Sequence, residues 1–345
     1  MLPTPNALIQ QMPLTPDQQR FVAESRTVIQ QILSGEDSRL LIIVGPCSVH
    51  DPVAIRDYAQ RLRDFAETVS DRFFIVMRAY FEKPRTTVGW KGFLYDPHLD
   101  GSHDIGSALP WTRQLLLHLV ALGMPTATEF LDPSMPNYLG DLISWGVVGA
   151  RTTASQPHRQ MASGLPMATG FKNTTDGDID VAIHAVLSAR TPHSFIGLNP
   201  HGQPSVVHTS GNPHTHVVLR GGGGEINYDE GSIAYTARRL REEQLSDRLV
   251  IDCSHDNSAK DHKRQIIAFR HLIEQVVQGN TAIAGVLLES YLNAGCQPLP
   301  RDRSALIYGT SLTDPCIDWP TTKYLLEWAY EKMGAEVKVQ KASAI

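Results

Sequence analysis

"LLIIVGPCSVHDPVAIRDYAQRLRDFAETVSDRFFIVMRA" occupies residues 40–79. Two apolar, β-branched runs, "LLIIVGPCS" (40–48) and "FFIVMRA" (73–79), flank the helical pattern "PVAIRDYAQRLRDFAETV". Apolar runs of this length without polar alternation suit strands buried on both faces, and such strands belong to parallel sheets covered by helices. The segment therefore reads as a strand–helix–strand unit.

The same unit recurs along the chain. Further strands are expected at "PTATEFL" (125–131), "GVVGART" (146–152), "PMATGFK" (166–172), "HVVLRGG" (216–222), "LVIDCSH" (249–255) and "AGVLLES" (284–290), with helical patterns between them. Eight strand–helix units in one chain predict an α/β fold, a (β/α)8 TIM barrel over residues 36–335. Residues 1–35 form an N-terminal helical extension, with Thr15 as N-cap and Pro16 in the first turn of a helix. Residues 194–212 read as a β-hairpin inserted before the sixth strand, and residues 336–345 as a C-terminal tail that frays.

Composition bounds the function. The chain has 345 residues, 42% hydrophobic and 19% charged, with a net charge of −5, so no global basic field points to nucleic acid or an anionic membrane. The N-terminus carries no signal-peptide pattern and no run is long enough to span a bilayer, which predicts a cytoplasmic protein. Cys47, Cys253, Cys296 and Cys316 show no framework spacing and read as reduced thiols, with metal ligation open.

Against that acidic background, "RAYFEKPRTTVGWKG" (78–92) sets Arg78, Lys83, Arg85 and Lys91 against one acid, Glu82, at the end of an expected strand. The other strand ends continue the pattern. They carry Cys47, Glu129, Arg151, Lys172, Arg220, His255 and Glu289, and the last loop adds Asp314. In a barrel all of these reach the one face where sites are built. Arg78, Lys83, Arg151, Lys172 and Arg220 form a set of cations whose convergence calls for an anion, phosphate or carboxylate. Cys47, His255, Glu289 and Asp314 form a mixed S/N/O set suited to one divalent transition metal (Mn, Fe, Co or Zn) rather than Mg or Ca. The histidines His201, His208, His214 and His216 lack a closing zinc pattern and read as a turn-rich hairpin. "RGGGGE" has neither Walker spacing nor a dinucleotide fingerprint.

The motifs together resemble a known family. "GPCSVHDP" (45–52), "RAYFEKPRTTVGWKG", "GARTTASQPHRQMASGL" (149–165), "GFKNTTDG" (170–177), "LRGG" (219–222), "DCSHDNSAKDHKRQ" (252–265), "ESYLNAGCQ" (289–297) and "SLTDPCIDW" (311–319) carry the likeness. They resemble the type I 3-deoxy-D-arabino-heptulosonate 7-phosphate (DAHP) synthases, in the branch of microbial feedback-regulated isoenzymes. The resemblance covers essentially the whole chain.

It implies condensation of phosphoenolpyruvate with erythrose 4-phosphate, releasing phosphate, as the first step of the shikimate pathway. It implies the metal ligands Cys47, His255, Glu289 and Asp314, and a phosphoenolpyruvate site of Arg78, Lys83, Ala150, Arg151, Lys172 and Arg220. Erythrose 4-phosphate would be held by Lys83, Pro84, Arg85 and Thr86, and Lys83, Cys47 and His255 would take part in catalysis. An effector site is implied near Pro136, Asn137, Pro166, Phe195 and Gly197, between the N-terminal extension and the hairpin. Gly at 197 favours tyrosine as inhibitor, and weak inhibition is expected, on the reading that the segment preceding "LPTP" in longer members is absent. A homodimer or homotetramer is expected. Two other readings stay open: a related 3-deoxy-sugar-acid phosphate synthase using arabinose 5-phosphate, and a catalytically inactive sugar-phosphate or amino-acid sensor.

Overall fold

The computed structural model describes residues 1–343, and beyond residue 334 only the backbone of the last helix. Eight parallel strands close into a barrel: β1 (Leu40–Gly45), β2 (Phe73–Arg78), β3 (Thr126–Glu129), β4 (Trp145–Val148), β5 (Ala168–Lys172), β8 (Thr215–Leu219), β9 (Leu249–Asp252) and β10 (Ile283–Glu289). Neighbours follow the order β1-β10-β9-β8-β5-β4-β3-β2, so β1 is flanked by β2 and β10. Each expected strand is present. Four of them, β1, β4, β8 and β9, stop three or four residues short at the C-terminal end, because residues such as Cys47, Arg151 and His255 leave the ladder and enter loops.

Both faces of the strands are buried, as the unbroken apolar runs require. Along β1, Leu41 and Ile43 pack in one cluster with Val76, Val147, Val218 and Leu287, the barrel interior. Leu40, Ile42 and Val44 join the larger cluster beneath the surrounding helices, which includes Tyr58, Leu62 and Phe65 of α3 (Pro52–Thr68). Each fully buried side chain of this size contributes about 1.5–3 kcal/mol. Gly45 allows close approach at the top of β1, since a Cβ there would stand 2.6 Å from the Arg78 carbonyl oxygen.

The N-terminal extension folds as α1 (Pro5–Gln11) and α2 (Pro16–Ser34). Thr15 caps α2 as expected: its hydroxyl accepts from the Gln18 N–H at 3.3 Å, and the Gln18 side chain accepts from the Thr15 N–H at 2.9 Å. The buried stripe Ile29, Ile32 and Leu33 of α2 joins the interior cluster, so this helix closes the N-terminal end of the barrel.

The inserted hairpin is β6 (His193–Leu198) and β7 (Pro204–Thr209), antiparallel, with Phe195 opposite Val207 and Gly197 opposite Ser205. It stands outside the barrel sheet. The last helix runs Trp319–Ser343, past the expected start of the tail at 336; the tail's end, 344–345, lies outside the described residues. No helix among the described residues is long and apolar enough to cross a membrane.

Candidate active site

The C-terminal ends of the barrel strands surround a cavity of about 640 Å³. Lys83, Pro84, Arg85 and Thr86 line it from the loop after β2, and Ala150 and Arg151 from the loop after β4. Lys172, Arg220, His255 and Asp314 complete it from the other strand ends. The two substrate sets expected from the sequence therefore share one cavity, except Arg78, which lies beneath its floor and is 1% exposed.

Arg78 ends β2 and is fixed by four contacts. It donates from Nε to the Pro46 carbonyl at 3.0 Å, and from Nη2 to the Cys47 carbonyl at 3.2 Å and to Glu289 Oε1 at 2.9 Å. Its guanidinium lies 3.6 Å from the centre of the Tyr80 ring. Lys83 Nζ reaches the Cys47 carbonyl oxygen and Sγ, each at 3.1 Å.

Three of the five expected cations are paired with acids inside the site. Arg78 pairs with Glu289, Lys172 with Asp252 at 2.7 Å, and Arg220 with Asp256 at 2.8 Å. Arg151 donates to Thr86 Oγ1 at 2.8 Å, joining one substrate's expected residues to the other's. The cations therefore do not face one another without compensation, as the sequence reading supposed. Asp252 and Asp256, which offset them, stand in "DCSHDN", but an acid gives no sign from sequence of which cation it will meet.

Buried polar atoms without partners remain here: Arg78 Nη1, Arg220 Nε, Tyr80 Oη and Glu129 Oε1. Native interiors satisfy such atoms; Arg220 and Glu129 line the cavity, where a ligand or water could meet them, while Arg78 and Tyr80 are buried outside its lining.

Cys47, Glu289 and Asp314 bring one ligand atom each within 4.8 Å of one another, a group able to hold a metal ion. Cys47 Sγ stands 3.8 Å from Asp314 Oδ2. Burial, reinforced by the Glu289 charge, pushes the Cys47 thiol up to about 11 in the metal-free protein. Burial works to raise the Asp314 carboxyl, but Lys83, His255 and Arg78 outweigh it and hold the group below its usual range.

His255 is not one of those three. It shares a narrow cleft with Glu289 and Asp314, while its Nδ1 faces Asp252 Oδ2 at 2.9 Å and Ser254 Oγ at 2.7 Å. A ring anchored through Nδ1 to a carboxylate leaves Nε2 free, the arrangement that orients a metal-ligating histidine. Its backbone sits in the left-handed region, with φ at 57°.

Glu82, the one acid of the cationic loop, faces away from the cavity and is buried. It accepts from the Leu131 N–H at 3.2 Å, and from the Asp132 N–H and Tyr95 hydroxyl at 3.1 Å each. Burial pushes its carboxyl up to about 8. This residue thus ties the Lys83 loop to the loop after β3.

A second cavity of about 670 Å³ adjoins that same loop after β3. Pro136, Asn137, Phe195 and Gly197 line it, together with Asp132, Met161 and Val207. Pro166 is not among its lining residues, whereas its neighbour Leu165 is. Nor does the N-terminal extension line it; α1 packs behind it, where the Tyr138 hydroxyl donates to the Pro3 carbonyl at 3.1 Å. A Cβ at position 197 would meet Val207 Cγ2 at 2.8 Å, so packing across the hairpin also favours glycine there.

Comparison with known proteins agrees with this geometry. The DAHP synthetase I family matches residues 12–327. The Tyr-sensitive phospho-2-dehydro-3-deoxyheptonate aldolase of Salmonella typhimurium is 47% identical over 342 residues, 99% of this chain and 96% of that protein. A Trp-sensitive phospho-2-dehydro-3-deoxyheptonate aldolase of Enterobacter agglomerans is 48% identical over 323 residues, covering 94% of this chain and 92% of that one. The solved phospho-2-dehydro-3-deoxyheptonate aldolase of Francisella tularensis superposes with a TM-score of 0.94 at 42% identity, covering 97% of each chain. With the family matched over nearly its whole length and the barrel superposing end to end, the chain belongs to the DAHP synthetase I family.

Proposed function

We propose that this protein condenses phosphoenolpyruvate with erythrose 4-phosphate to give DAHP and phosphate, at the cavity over the C-terminal end of the barrel. The observation that carries the reading is a cation-lined cavity set directly against the Cys47–Glu289–Asp314 group, in a chain of this family. Metal ligands and anion ligands side by side suit a reaction that joins an aldehyde to a phosphorylated enol.

Cys47, Glu289, Asp314 and the free Nε2 of His255 would hold one divalent metal, of the class Mn, Fe, Co or Zn. Bound there, the metal supplies Lewis-acid polarisation of the substrate aldehyde. The chain's residues do the rest. Lys172 and Arg220, held by their acid partners before substrate arrives, receive phosphoenolpyruvate without reorganising, as does the Ala150–Arg151 segment, and Arg78, buried outside the cavity lining, adds positive charge to the site. The Lys83–Thr86 loop receives the sugar phosphate, and the Arg151–Thr86 bond sets the spacing between the two anions. Lys83, 3.1 Å from Cys47 Sγ, stands where developing oxyanion charge would meet it. The second cavity is the regulatory site of this reading, with tyrosine as its inhibitor and Asp132, among its lining residues, available to the ligand's ammonium group.

The test is a steady-state assay with phosphoenolpyruvate and each of erythrose 4-phosphate and arabinose 5-phosphate, on enzyme stripped by chelation and then resupplied with metal. Turnover of erythrose 4-phosphate that disappears on chelation and returns with Mn, Co or Fe(II) is the expected result. Preference for arabinose 5-phosphate would establish the sister activity, and no turnover with either would leave a sensor.

A further inference from the structure

The cations around the active-site cavity divide by what already holds them. Arg78, Lys172 and Arg220 are each ion-paired, Arg151 is bonded to Thr86, and Lys83 is bonded to Cys47. Among the described residues two cavity cations have neither an ion pair nor a side-chain hydrogen bond, Arg85 and Lys260. A guanidinium or ammonium without a direct ion pair or hydrogen bond is freer to contact a ligand anion, although the Lys260 charge also acts on the Asp314 carboxyl.

One lysine in a loop is ordinarily a solvated charge, and nothing in the sequence around Lys260 marks it out. Its backbone says otherwise. The turn after β9 holds Ala259 at φ 49° and Lys260 at φ 59°, two consecutive non-glycine residues in the left-handed region. Such a conformation is unfavourable for L-residues and persists only where the surroundings impose it. Here the Lys260 N–H donates to the His255 carbonyl at 2.8 Å and the Ala259 N–H to the Asp256 carbonyl at 3.1 Å. The same turn thus sets His255 beside the metal ligands, Asp256 against Arg220, and Lys260 at the mouth. Lys260 borders both the large cavity and the narrow cleft over Glu289 and Asp314. It follows β9, which lies three places round the barrel from β2, the strand that precedes the Arg85 loop.

We propose that Lys260 is a further substrate-binding residue, a second cation for the phosphate of the aldehyde substrate, reaching it across the mouth from Arg85. The assignment rests on the two-substrate reading of the cavity given above. It explains why the two cations without a direct partner are exposed at the rim, while the three ion-paired ones are buried.

The experiment compares the wild type with Lys260→Ala and Lys260→Arg, using erythrose 4-phosphate and unphosphorylated erythrose in turn. Lys260→Ala is expected to raise KM for erythrose 4-phosphate about tenfold, the loss of one charge-assisted contact, with KM for phosphoenolpyruvate and bound metal changed by less than about twofold. Lys260→Arg should recover most of the loss. With erythrose, which lacks the phosphate, wild type and Lys260→Ala should have the same kcat/KM. An unchanged KM for erythrose 4-phosphate, an equal loss with both aldoses, or a rise confined to phosphoenolpyruvate would each overturn the assignment. If the wild type instead uses a different aldose phosphate, the substrate reading falls while the Lys260 assignment is judged on that sugar and its dephosphorylated form. No turnover with any aldose phosphate would overturn both.

Discussion

Cys47 shows how much one side chain can control. Its thiol is held protonated by burial and by Glu289, with a pKa pushed up to about 11, yet only the thiolate ligates a metal. Metal uptake must therefore expel that proton. Below about pH 11 the apparent affinity of stripped enzyme is expected to rise about tenfold per pH unit from this group, read by metal titration at several pH values. Cys47→Ala should lose metal and turnover while keeping the far-UV circular dichroism of the barrel; near-normal turnover would remove Cys47 from the ligand set. In stripped enzyme the thiol has a second fate. Cys316 Sγ stands 3.4 Å from the Cys47 backbone nitrogen, and air oxidation is expected to link the two, as intact-mass analysis before and after reduction would show. The cations should separate the substrates: Arg85→Ala is expected to raise KM for erythrose 4-phosphate about tenfold to a hundredfold and Arg220→Ala to do so for phosphoenolpyruvate. Equal effects on both would remove the division.

Loops carry the chemistry and strands carry the fold, and the two differ in how legible they are. Apolar runs such as "LLIIV" and "FFIVM" announce β1 and β2 because burial on both faces leaves no room for polar alternation. The residues after them were assigned to the same strands because a barrel strand and its site loop form one continuous apolar-to-charged segment. What could not be read was pairing. Nothing in "DCSHDNSAKDHK" distinguishes Asp252, partner of Lys172, from Asp256, partner of Arg220, since both partners lie on other strands. The turn that follows was equally hidden, because no glycine marks its left-handed residues. Ala259→Gly should relieve that backbone and raise stability by about 0.5–1 kcal/mol, measurable by denaturant unfolding. Glu82 gives the loop after β2 a pH dependence. The folded protein keeps its proton to about pH 8 against a usual 4.5, so its favourable contribution is complete below about 4.5 and is lost as pH rises through about 8. Glu82→Gln, neutral at every pH, should lose less stability than wild type between those two values. An identical slope in both proteins would mean that Glu82 does not titrate there.

Over the whole molecule, two cavities lie on either side of the loop that Glu82 anchors, and the proposed reading gives each its own ligand. Initial rates at millimolar tyrosine, phenylalanine and tryptophan test the outer cavity: tyrosine should inhibit most. Strong inhibition by phenylalanine or tryptophan alone would discard the reading of Gly197. The eight-stranded closure has one more consequence. β1 and β10, the first and last strands of the barrel, pair along its seam, with Gly45 opposite Glu289. Cys47 follows one edge of that seam and Glu289 ends the other. An ion shared by them would act as a clasp between the two ends of the ring, stitching together segments that are made more than two hundred residues apart. Nascent chain emerging before Glu289 can neither shut the cylinder nor fasten it. Once made, the loaded protein should resist opening at the one joint where the ring could come undone.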